Sequence, residues 1–157
     1  MSVSSVRIEG DTQLRGLAEL QRRLDAARSK VVKVGVPSGP TEEDGTPMAL
    51  VAATVEFGRP SINQPERPFL RGGVNDSLPA VRQVAEHGLR AVVEGTRSTE
   101  TVLETMGAVA AGSVKQYMAG DHFAPNAPAT IAKKGSSQPT IDTASLRQSV
   151  THVVEAT

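Results

Sequence analysis

Residues 75–119 read NDSLPAVRQVAEHGLRAVVEGTRSTETVLETMGAVAAGSVKQYMA, and this stretch decides the fold. Leu78, Val81, Val84, Ala85, Leu89 and Val92 recur at helical spacing and predict a helix over about 75–94. Val102, Met106, Val109, Ala110, Val114 and Tyr117 do the same over about 98–119. Gly95 stands between them where a left-handed C-cap belongs. Two helices near twenty residues each are long for a domain of this size.

Upstream, Leu14, Leu17, Leu20 and Leu24 form a stripe with Arg15, Gln21, Arg22 and Arg23 off it, predicting a helix over 12–30. Val31–Val36 is β-branched, stops at Pro37 and reads as a strand. Residues 37–47, PSGPTEEDGTP, carry three prolines and two glycines and read as a loop. A short apolar helix is expected over 48–57, ended by Gly58 and kept from resuming by Pro60, with a second Pro-broken loop over 59–68. Residues 120–140 form a long irregular segment. From Ser145 to Val154, Leu146, Gln148, Val150, His152 and Val154 alternate and predict a last strand; a third strand candidate lies at 3–9. The expected fold is therefore α+β: a small, mostly antiparallel sheet packed against long α-helices with long irregular loops, in one domain over 1–157.

Composition narrows function. Seventeen basic and seventeen acidic residues cancel, whereas a dedicated nucleic-acid binder carries a basic excess on one face. Aromatics are only 3% of the chain, so a core of Val, Leu and Ala gains less per residue, and contacts between subunits are expected to complete the fold. There is no cysteine, which removes disulfides, thiolate metal sites and Cys nucleophiles. The first residues, MSVSSVRIEGD, lack the basic start and apolar run of a signal peptide, and no apolar run approaches the ~20 residues of a membrane span. No membrane partner is expected, and the protein is expected to be soluble. His87, His122 and His152 show no metal-ligand spacing, no Gly-x-Ser-x-Gly elbow is present, and the glycines of 35–45 lack Gly-Lys-Ser/Thr. The chain is accordingly expected to be no enzyme and to need no cofactor.

Four segments together resemble the tail-component family of lambda-like long-tailed phages, whose members are called tail-completion, neck or minor tail proteins. They are Val32-Lys33-Val34-Gly35-Val36-Pro37 with its following Asp44-Gly45-Thr46, and Ala49 to Gly58 ending in Glu56-Phe57-Gly58. The third is Pro65-Glu66-Arg67-Pro68-Phe69-Leu70-Arg71. The fourth runs from Pro125-x-x-Pro128-x-Thr130-Ile131-x-x-Lys134-Gly135 to Ile141-Asp142-Thr143-x-x-Leu146-Arg147-x-Ser149-Val150. They follow the family's order across most of 31–154. The chain departs from the pattern at Pro139-Thr140, where the family has Pro-Leu, and at Ala144, where it has Gly.

The resemblance implies a structural virion protein in the neck. Copies of the chain would close into a six-fold or twelve-fold ring between the head connector or head-closure protein and the tail terminator or tube. Genomic DNA would pass through it without sequence-specific binding. A head-side connector or head-closure subunit is the nearest alternative, and a small phage hydrolase a further one. The residues to which it directs attention are Glu56, Phe57, Arg67, Phe69, Arg71, Pro128, Thr130 and Lys134. Arg67 is expected to pair with Glu56 as a clamp, and Phe69 and Leu70 to be buried. Glu56, Phe57, Arg67 and Phe69 either hold the fold together or touch a partner directly. The loops 37–47 and 120–140 are the candidate contacts with neighbouring rings.

Overall fold

A computed structural model describes residues 10–123 and 144–157. The elements run α1 (Gly10–Arg28), β1 (Lys30–Gly35), α2 (Met48–Phe57), a 3-10 turn (Pro60–Ile62), α3 (Phe69–Glu94), α4 (Thr99–Ala119), α5 (Ala144–Ser149) and β2 (Thr151–Ala156). The architecture is α+β, with a two-stranded antiparallel sheet beside long helices. No helix among the described residues is long and apolar enough to cross a membrane. The strand candidate at 3–9, and most of the segment 120–140, lie outside the described residues.

The antiparallel pair α3/α4 is the frame. Gly95 adopts the left-handed conformation and its N–H closes on Val92 O, which ends α3. Ser98 Oγ then accepts the Thr101 N–H and starts α4. α3 begins at Phe69, six residues before the periodicity signals it, and runs through Pro79.

The contact face also differs from the one the large apolar residues mark. Leu78 and Leu89 are exposed, and the buried line of α3 is Phe69, Gly73, Ser77, Gly88 and Val92. On α4 it is Val102, Gly107, Ala110, Ala111, Val114 and Met118. Small side chains let the two backbones approach closely, and the bulky residues of the opposite helix fill the space. A Cβ on Gly73 would sit 2.5 Å from the Val114 Cα, and one on Gly88 2.3 Å from a Val102 methyl.

The sheet lies across α4. Val34 pairs with His152 and Val32 with Val154, turning these four half-buried side chains to the helix. Gly107 makes room for the His152 ring, whose Nε2 lies 2.8 Å from Glu104 Oε2. Lys33 and Glu155 pair on the open face.

The last segment corrects the sequence reading. Residues 145–149, expected as strand, belong to helix α5, and only Thr151–Ala156 is strand. Leu146 and Val150 are both buried; a spacing of four fits one helical face as well as one side of a strand, so the apolar pattern alone does not distinguish the two. Ser149 Oγ donates to Ser145 O, and Ser145 Oγ donates to Glu42, which ties α5 to the loop 37–47.

The core proper gathers where α2 and α5 close over the first half of α3 and the last half of α4: Met48, Ala52, Phe69, Ala111, Val114, Met118, Leu146 and Val150. At the other end α1 packs more thinly. Leu17, expected inside, is exposed, and Leu20 and Leu24 are half-buried.

The close approach of the two helices gives a paired expectation. Gly73→Ala forces backbone apart and should destabilise by about 1–3 kcal/mol, whereas Gly112→Ala, with open space around its Cβ, should stabilise by about 0.5–1 kcal/mol through helix propensity. Urea unfolding of both variants measures the signs; equal effects would place Gly73 outside the contact.

Candidate functional site

The Glu-Phe-Gly and Arg-Pro-Phe-Leu-Arg segments meet at one junction, the end of α2 against the start of α3. Gly58 makes the turn possible. Its φ is 71°, and a Cβ there would lie 2.7 Å from the Glu66 backbone nitrogen, so both conformation and space require glycine. The chain then bends through the 3-10 turn and the Arg59–Gln64 bridge, with Asn63 left-handed. It returns beside α2, where the Arg67 N–H donates to Val55 O at 2.8 Å.

At this point the Glu56 carboxylate, only 4% exposed, receives the first turn of α3. Oε2 accepts the Leu70 N–H at 2.8 Å, and Oε1 accepts the Arg71 N–H at 3.2 Å and the Arg71 Nε–H at 2.8 Å. Pro68, the residue before the helix, has no side-chain acceptor to cap it. A carboxylate thirteen residues upstream of Phe69 does so instead, and it adds a negative charge where the helix end is positive. This explains why α3 starts at Phe69: local sequence offers no cap, and a distant side chain supplies one.

The ion-pair partner of Glu56 is thus Arg71 and not Arg67, correcting the expectation. Arg71 lies over the α3 start with its guanidinium carbon 5.6 Å from the centre of the Phe57 ring, and Glu66 also approaches it at 3.5 Å. The hydrogen bond to Glu56 holds the Arg71 guanidinium charged, above its already high ordinary pKa. Arg67 is buried beneath the junction, and burial pushes its guanidinium pKa down from the ordinary value. Leu70 is half-buried.

The two phenylalanines part company. Phe69 is 1% exposed and sits in the core; Phe57 is 67% exposed and stands outside it. Leu50, two turns earlier on the same face of α2, and Ile62 on the following 3-10 turn are exposed as well. Pro128, Thr130 and Lys134 lie outside the described residues.

The loop 37–47 has more order than its prolines and glycines suggest. Thr41 bridges Pro47, and the Asp44 carboxylate accepts the Thr46 N–H at 2.9 Å. Hydrogen bonding from Thr46 holds the Asp44 carboxyl below the usual carboxylate range.

Tyr117 stacks on His122 at 4.0 Å, with Phe123 edge-on to both. Among the described residues no three His, Asp or Glu side chains gather as a metal-ligand set. The sequence reading also passed over a grouping at the opposite end of α3, where Arg22 and Arg23 of α1 meet Lys30 and Arg97. No periodicity links these four residues, since three different segments contribute them.

Compared with known proteins, the chain matches no family model, no curated protein and no solved structure.

The junction separates structural from surface roles. Phe69→Ala should lower stability by about 3 kcal/mol, while Phe57→Ala should change it by less than about 0.5 kcal/mol. Urea midpoints of the two variants test this, and a large loss for Phe57→Ala would place its ring in the core.

Proposed function

We propose that this chain is a structural subunit of a tailed-phage neck, a tail-completion protein whose copies close into a ring between head connector and tail. The observation that carries the reading is the junction itself. Two of the four family-like segments, six residues apart in sequence, pack against each other there, and Glu56, Phe69 and Arg71 each have a physical task. Glu56 caps α3, Phe69 fills the core, and Arg71 is held against Phe57.

The junction also leaves Phe57, Leu50 and Ile62 exposed. Exposed large apolar side chains at one corner support a contact with another protein. Identical subunits joined head-to-tail close into a ring when the rotation permits, and a ring leaves a central passage for DNA.

Electron microscopy of virions made without this protein tests the reading. Separate DNA-filled heads and free tails are expected. Normally joined particles would contradict a neck role.

A further inference from the structure

A second feature lies at the far end of the α3/α4 pair from the junction. There α1 crosses the turn between α3 and α4, leaving an open cleft of about 580 Å³. Four cationic side chains line it, Arg22, Arg23, Lys30 and Arg97, against two carboxylates, Glu19 and Glu100. The cleft therefore carries a formal excess of two positive charges in a chain whose totals cancel. Each carboxylate is already engaged: Glu19 by Arg22 and Arg23, Glu100 by Lys30. Arg97 has no carboxylate partner among the described residues.

The walls are fixed. Arg23 Nη1 donates to Val92 O at 3.3 Å, tying α1 to the end of α3, and the Thr99 hydroxyl donates to Arg23 O at 3.2 Å, tying α1 to α4. The Arg97 backbone is pinned by its N–H to Ala91 O at 3.2 Å. The α4 end that opens here is capped by Ser98, so the charge of the cleft is that of its side chains.

The chemistry of the lining selects the ligand. Three guanidinium groups offer fork-shaped donors suited to oxyanions. Among the described residues, Ala26 is the one purely aliphatic side chain of the lining and no aromatic ring is present, so the lining offers neither an apolar peptide anchor nor a stacking platform for a base. The open shape admits a passing polymer. We propose that this cleft binds phosphate groups, and that their source is the sugar–phosphate backbone of duplex DNA, contacted without regard to sequence. The phosphate chemistry comes from the cleft, and the choice of duplex DNA as its source rests on the neck reading above.

Fluorescence anisotropy of a labelled duplex with the purified full chain, over a series of salt concentrations, provides the test. Wild type should bind with an affinity that falls as salt rises. Arg22→Ala/Arg97→Ala should bind more weakly and reduce the slope of log affinity against log salt by about two, one per arginine removed. Arg82→Ala/Arg90→Ala, on α3 outside the cleft, should leave the slope unchanged. Titration with tripolyphosphate separates the sources: Arg97-dependent binding of both ligands supports the DNA backbone, and of tripolyphosphate alone supports a phosphate site but overturns the DNA assignment. No binding of either, or equal slopes for the two double variants, overturns the proposal. Because the assay uses isolated protein, its failure leaves the microscopy of virions untouched.

Discussion

The Glu56 carboxylate is the interaction on which the arrangement of this molecule depends. It is the C-terminal side of α2 that carries it and the N-terminal side of α3 that uses it. Its oxygens satisfy two of the backbone donors that a helix start leaves open. A buried carboxylate is tolerable only when hydrogen-bonded and neutralised, and here two amides and Arg71 do both. The reciprocal arrangement fixes α2 to α3, and α2 in turn brings Met48 and Ala52 onto Phe69 and Val114. Without the carboxylate, both the helix start and the lid over the core lose their reason.

The second constraint is closeness. Gly73, Gly88 and Gly107 permit approaches that any side chain would block, and a core with few aromatics becomes feasible because its backbones are near enough for Val and Ala to fill it. The same constraint turns Leu78 and Leu89 outward. The core lies toward the junction end of the pair, and its two ends, roughly 39 Å apart along α3 at 1.5 Å per residue, carry different surfaces. One end presents Phe57 and its apolar neighbours, the other the arginine-lined cleft. In the proposed ring, one end would face protein and the other the polymer that passes through.

Much of this was legible in the sequence where the signal is local. The helices over 48–57 and 98–119, the strand at 31–36 and the Gly95 cap each rest on residues a few positions apart, and each agrees with the structure within about a residue. What the sequence concealed is what distant residues decide. The start of α3 depends on Glu56, thirteen positions before it, so Pro68 and the two glycines after Arg71 disguise the first turn. The buried faces of α3 and α4 are marked by small residues, which hydrophobic periodicity does not weigh. Leu146 and Val150 satisfy two templates, and their spacing does not distinguish them. Of the candidate site residues, Glu56, Arg71 and Phe69 do what their types suggest, although the carboxylate chooses Arg71 over Arg67. The basic cleft was invisible because an overall charge of zero says nothing about how the charges are arranged.

Unfolding of Glu56→Ala by urea, measured both in the native background and in Arg71→Ala, tests the central claim most directly. If the carboxylate organises the start of α3 through backbone amides, its removal should cost about 2 kcal/mol in the native background and remain clearly destabilising when Arg71 is already absent. If Glu56→Ala has no further effect once Arg71 is gone, the carboxylate is only the partner of an exposed arginine, and the account of the junction is contradicted.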